Sequence, residues 1–191
     1  MPLKRLRSLT EMYLSPRVFS IAFFAFPYGM TFFLTVTVPK DLGITNTHVG
    51  LFGLVSLPYV LKFLWAPMVD LIQIPILHRL GQRRSWLILI HTTLIAGFAL
   101  LAYSNPGPTN LWYIGSIALI LAFVSSTQDI IVDAYRIEIL DKDQSIPGVS
   151  MLILGYRLGS LVAKAGTLYL AHCFSWTVAY LIMAGLISMG I

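Results

Sequence analysis

From Val18 onward the chain is a succession of apolar runs of bilayer length, separated by short polar breaks. A helix needs about 20 apolar residues to cross the hydrocarbon of a membrane, because each residue rises only about 1.5 Å. The runs are 18–38, 49–70, 86–103, 111–132, 146–171 and 176–191. In hydrocarbon every backbone amide must find its partner within the protein, so runs of this length fold as helices. Composition agrees: 11% of the residues are charged, against about 25% in a soluble domain. The expected class is all-α integral membrane, with a six-helix bundle over 18–191 behind a basic segment, 1–17. The last run, 176–191, is short of a full crossing.

Segment 1–17 carries Lys4, Arg5, Arg7 and Arg17, interleaved with Leu3, Leu6, Leu9, Met12 and Leu14. This reads as an interfacial helix. Run 18–38 is too long for a signal-peptide core and no small-residue cleavage site follows it, so it reads as a retained first span. Arg79, Arg83, Arg84, Arg136 and Lys142 fall on the same side of the membrane as the N-terminal cluster, and only Lys40 falls on the other. That asymmetry predicts a cytoplasmic N-terminus. It also accounts for the net charge of +5 without nucleic acid as a partner. Cys173 is the one cysteine, so no intrachain disulfide can form. His48, His78, His91 and His172 are scattered without metal-ligand spacing, and no nucleophile elbow, phosphate loop or dinucleotide fingerprint occurs. An enzyme, a cofactor and a bound metal are therefore not expected.

The informative residues are the ionisable ones inside apolar runs. An ionised side chain at membrane depth costs at least a few kcal/mol unless it meets water or an opposite charge inside the bundle. At about 100° per residue, Ser125, Asp129, Asp133 and Arg136 share one helical stripe. Candidate counter-charges are Lys62, Arg157 and Lys164, each inside an apolar run. Arg157 lies about 16 Å into the fifth run, too deep to snorkel easily. It is expected either in ion pairing, proton coupling or anion binding, or in a structural pair with Asp129 or Asp133. Lys164 is nearer the outer end, where snorkelling and cavity lining are both open. Counting Arg157 as zero, Gly155, Gly159, Ala163 and Gly166 fall on the opposite face, the pattern of a close helix–helix seam. Pro58 and Pro67 bracket Lys62, and Phe26-Pro27-Tyr28-Gly29 marks a kink or a close-packing point in the first span.

Four strings resemble a known family: Leu57-Pro58-Tyr59-Val60-Leu61-Lys62-Phe63-Leu64-Trp65-Ala66-Pro67-Met68-Val69-Asp70, Gly81-Gln82-Arg83-Arg84-Ser85-Trp86, Ser126-Thr127-Gln128-Asp129-Ile130-Ile131-Val132-Asp133-Ala134-Tyr135 and Leu154-Gly155-Tyr156-Arg157-Leu158-Gly159. Together they resemble the AmpG-type muropeptide permeases of the major facilitator superfamily, to which acetyl-coenzyme A transporters are related. The resemblance implies proton-driven import of anhydromuropeptides (GlcNAc–anhydroMurNAc peptides) across the bacterial inner membrane in cell-wall recycling. It assigns proton coupling or ion pairing to Asp129, Asp133 and Arg157, with Arg157 as the partner of Asp129. It assigns substrate binding to Lys62, Gln128, Arg157 and Lys164. Asp70, Arg83 and Arg84 resemble the gating charge cluster after the second span of major facilitators, although segment 71–80 separates the acid from Gly81. Positive-inside topology explains the same basic residues.

A complete facilitator has two six-helix halves with the solute between them. This chain reads as an N-terminal half, a half or truncated transporter whose expected partners are muropeptide-like solute, protons, the lipid bilayer and a second half. Two other readings stand beside it: an acetyl-coenzyme A or other anion transporter of the same family, and a non-transporting remnant or assembly subunit.

Overall fold

A computed structural model describes residues 11–36, 53–72, 81–104 and 110–188, and every regular element among them is helical. Most of segment 1–17, the segments 37–52 (with Lys40 and His48), 73–80 (with His78 and Arg79) and 105–109, and residues 189–191 lie outside the described residues. Helix α1 is Pro16–Val36. The second run forms α2 (Leu57–Leu61) and α3 (Ala66–Leu71), with 3₁₀ turns at Gly53–Ser56 and Lys62–Leu64. Then come α4 (Gln82–Tyr103), α5 (Leu111–Ile139), α6 (Ser145–Leu161), α7 (Thr167–Cys173) and α8 (Trp176–Ile187). Gln82–Tyr103, Trp112–Ile139 and the continuous stretch Lys142–Cys173 are long and apolar enough to cross a bilayer.

Three departures from the expected runs have local causes. The second run is not one regular helix. Pro67 has no amide hydrogen for the Phe63 carbonyl and its ring crowds that carbonyl, so the α-ladder gives way to the tighter turn that holds Lys62. The fourth helix does not stop at Val132 before a charged loop. It runs on to Ile139, with Arg136 inside it and the Leu140 amide bonded to the Arg136 carbonyl. Arg136 and Glu138 favour the helix and their charges find partners on it and on α4. The fifth run is broken by a π turn, Val162–Gly166, between α6 and α7. A π turn adds a residue to the ladder, so the small-residue face of Gly155 and Gly159 does not carry straight through to Gly166.

Glycine sets how closely α1 and α6 approach, and these two helices form the most extensive contact in the bundle. A Cβ on Gly155 would meet the Ala22 carbonyl, one on Gly159 the Phe26 carbonyl, and one on Gly29 the Tyr156 carbonyl. The two backbones therefore touch, as the small-residue pattern anticipated. Helix α1 passes through Pro27 without a break, so the Phe-Pro-Tyr-Gly stretch acts as a close-packing point. Gly166 faces the Met183 methyl of α8, 2.7 Å from where its Cβ would stand.

The rest of the core lies between α4, α5 and α8. Leu87, Ile90, Leu94, Phe98 and Leu101 of α4 meet Ile117, Leu121 and Ile131 of α5 and Tyr180, Met183 and Ile187 of α8. Helix α2 leans on α5 through a smaller cluster of Val55, Tyr59, Ala118 and Ala122. Helix α5 is thus flanked by α1, α2 and α4, and its polar residues have three different surfaces to meet.

Candidate functional site

The 3₁₀ turn carries Lys62 to the flank of α5, where its ammonium donates to the Asp129 carboxylate. The Lys62 side chain is 33% exposed and that of Asp129 14%. Trp65 locks this arrangement: its indole N–H donates to Thr127 Oγ1 at 3.2 Å, and its ring lies 4.5 Å from that of Phe123. The Tyr28 hydroxyl of α1 is a second donor to Asp129. A carboxylate at this depth therefore has a cation from one helix and a phenol from another, the compensation that low dielectric demands.

The pairing continues toward the helix end. Lys62 Nζ is 3.9 Å from Asp133, and Asp133 is 3.6 Å from Arg136 one turn further along α5. Charges thus alternate, Asp129, Lys62, Asp133, Arg136, from the interior outward. The next cluster joins three elements: Arg83 of α4 is 2.6 Å from Asp70 of α3 and 2.8 Å from Glu138 of α5. Gln82 adds a 2.7 Å bond to the Asp70 carbonyl and Trp86 a 3.1 Å bond to the Ile72 carbonyl. Asp70 and Arg83, expected together, do meet across segment 71–80, and Glu138 completes the group. Arg84 is exposed beside them.

Three expected residues stand elsewhere. Asp129 pairs with Lys62 and not with Arg157. Arg157 is exposed and makes no ion pair among the described residues. The reason lies in the seam: Gly155 and Gly159 face α1, which turns the Arg157 side of α6 outward. Arg157 still adjoins the site through Tyr156, which is within electrostatic reach of both Asp129 and Arg157 and whose ring lies 5.2 Å from that of Tyr28. Lys164 is exposed on the π turn. Gln128, expected to bind substrate, is fully buried. Its amide points to α1 and α4, because Gln128 lies about 100° around α5 from Asp129.

Gln128 belongs to a polar cluster that links α1, α4 and α5. Thr31 Oγ1 is 2.6 Å from Ser125 Oγ and 3.4 Å from Gln128 Oε1. Gln128 Nε2 is 3.5 Å from His91 Nε2, and His91 Nδ1 is 2.7 Å from the Leu87 carbonyl oxygen. Thr31, His91, Ser125 and Gln128 are all fully buried. Metal-ligand spacing does not single out His91. Its place inside the apolar run 86–103 is the available signal, since an intramembrane ionisable residue is a site candidate wherever it stands alone. Among the described residues no cluster suits a metal ion.

A bundle of apolar helices whose charges pair with one another across helices is an all-α integral membrane fold of the major facilitator type. The family described as Acetyl-coenzyme A transporter 1 matches residues 20–110. An anhydromuropeptide permease of Escherichia coli K12 is 33% identical over 182 residues, covering 93% of this chain and 36% of the permease. A Rickettsia felis protein carrying the transporter name AmpG 4 is 34% identical over 184 residues, 92% of this chain and 44% of that protein. A Rickettsia prowazekii protein carrying the name AmpG 1 is 38% identical over 149 residues, covering 78% of this chain and 33% of that protein. The chain belongs to the AmpG-type permease family. It spans less than half the length of these curated relatives.

Proposed function

We propose that this chain supplies the N-terminal six-helix half of a proton-coupled importer of anhydromuropeptides, carrying them from periplasm to cytoplasm in the bacterial inner membrane with its own N-terminus inside. The observation that carries the reading is the ion pair between Lys62 and Asp129, which joins two helices in the interior and is capped by Tyr28. Protonation of Asp129 removes its charge and releases Lys62, so one proton changes how α2 is held to α5. Asp133 is the next acid within reach of the freed ammonium. The exposed Arg157 and Lys164 face is where a second half would sit, and its positive charge suits a solute that bears carboxylates. The Asp70–Arg83–Glu138 group, at the end of α3, α4 and α5, acts as the gate that holds those ends together.

The test is uptake in vesicles that contain this chain together with a second six-helix half, with labelled anhydromuropeptide and labelled acetyl-coenzyme A as competing solutes. Uptake of the muropeptide, driven by an inward proton gradient and abolished by Asp129→Asn, is expected. Uptake of acetyl-coenzyme A instead would support the reading that the family match over residues 20–110 favours. Uptake of neither, with both halves inserted, would leave the non-transporting alternative.

A further inference from the structure

The buried cluster around Gln128 lies beside the Lys62–Asp129 ion pair without joining it, and it contains a fully buried histidine in an apolar helix. Its hydrogen atoms can be assigned from donor and acceptor chemistry. The Leu87 carbonyl only accepts, so at 2.7 Å the proton of this contact belongs to His91 Nδ1. No carboxylate is among the hydrogen-bond partners of His91 in the described residues. A buried imidazolium without one is costly, so the ring is neutral and carries that single proton. Nε2 is then a bare acceptor, and the group facing it is the Gln128 amide nitrogen, at 3.5 Å.

The other end of the amide is assigned in the same way. Gln128 Oε1 faces Thr31 Oγ1, and Thr31 has one proton with two carbonyl-type acceptors near it, Gln128 Oε1 at 3.4 Å and the Tyr28 carbonyl at 3.0 Å. Ser125 Oγ lies 2.6 Å from the same Thr31 hydroxyl. Turning the Gln128 amide over would set its oxygen against the His91 lone pair, two acceptors in a dry site. The amide therefore has one orientation, held by α4 on one side and α1 on the other.

We propose that His91, fixed as its Nδ1–H tautomer by the Leu87 carbonyl, is a positioning residue for Gln128 and, through it, for Asp129. The two α5 residues are adjacent in sequence and about 100° apart around the helix. Anchoring Gln128 toward α1 and α4 sets the rotation of α5 that points Asp129 at Lys62 and Tyr28. Ile131 and Val132 are buried in the core and hold α5 by packing, and the Gln128 anchor adds a directional polar constraint to that packing. The inference concerns the geometry of the ion pair and does not depend on what is transported.

The test uses the whole chain, labelled in its histidines with ¹⁵N and in its aspartates with ¹³C, in lipid bilayers near neutral pH, read by magic-angle-spinning NMR. His91→Phe identifies the His91 signals and Asp129→Asn the Asp129 carboxyl signal. A proton on Nδ1 and a bare Nε2 are expected, with the Nε2 signal displaced in Gln128→Leu and the Nδ1 signal unmoved. A proton on Nε2, or an Nε2 signal indifferent to Gln128→Leu, would overturn the assignment. His91→Leu is expected to displace the Asp129 carboxyl signal, and His91→Gln, which returns an acceptor near the place of Nε2, to restore it. If His91→Leu does not fold, His91→Leu combined with Gln128→Leu removes both polar groups and leaves no orphaned amide. In that folded pair the Asp129 signal should remain displaced. A native Asp129 signal there would mean that packing alone orients α5, and the positioning role would be lost.

Discussion

Replacing Lys62 by Met leaves Asp129 in place without its cation. The side chain of Asp129 is 14% exposed and that of Lys62 33%, so the pair is partly buried. Orphaning one member of a buried pair costs about 3–5 kcal/mol. The exposure of Lys62 and the surviving Tyr28 bond put this site at the low end, about 3 kcal/mol, or roughly a hundredfold in the folding equilibrium. Replacing both charged groups, Lys62→Met with Asp129→Leu, removes the orphan and should recover most of that loss. The assay is reversible unfolding of the purified chain in mixed micelles, followed by helical circular dichroism, on the wild type, both single variants and the double variant. A coupling energy of about 1.5 kcal/mol or more is the expected result of this cycle. Additive single effects, each below about 0.5 kcal/mol, would refute the claim that this pair holds the 3₁₀ turn to α5.

The remaining expectations probe other contacts. Gly155→Ala and Gly159→Ala drive a methyl into the Ala22 and Phe26 carbonyls and should each cost about 1–3 kcal/mol, whereas Gly185→Ala, with open space around it, should stabilise α8 by about 0.5–1 kcal/mol; thermal unfolding in detergent separates them. Arg83→Gln leaves Asp70 and Glu138 facing each other without their shared cation, and hydrogen exchange at the C-terminal ends of α3 and α5 should rise while α8 is unchanged. Arg157→Gln removes an exposed side chain without an ion pair among the described residues, and folding stability should change by less than about 0.5 kcal/mol. A loss comparable to that of Lys62→Met would mean that Arg157 is a structural counter-charge after all.

The class of fold was legible because it follows from composition along the chain. Bilayer-length apolar runs allow helices and little else, and the small-residue face of the fifth run named its own seam: Gly155 and Gly159 do meet the backbone of α1. The ionisable residues were also legible as a set, since Asp129, Asp133, Lys62 and Arg157 each violate the apolar pattern of their run. Their pairing was not. Periodicity gives the angle of a side chain about its own helix axis, and says nothing about which helix lies opposite that angle. Gly155 and Gly159 pull one side of α6 onto α1, so Arg157 turns outward, and the Pro67 break delivers Lys62 to Asp129 in its stead.

Sequence alone determined that this chain folds as apolar helices, where the charges interrupt them, and which face of the fifth run is narrow enough for backbone contact. The tertiary structure alone decided that Lys62 neutralises Asp129, that Gln128 is sealed inward against His91 and Thr31, and that Glu138 joins Asp70 on Arg83. The division has one physical cause. Hydrophobicity and helical period act within a segment, while an ion pair or a buried hydrogen bond forms only where two segments, each rotated by its own packing, bring donor and acceptor within about 3 Å.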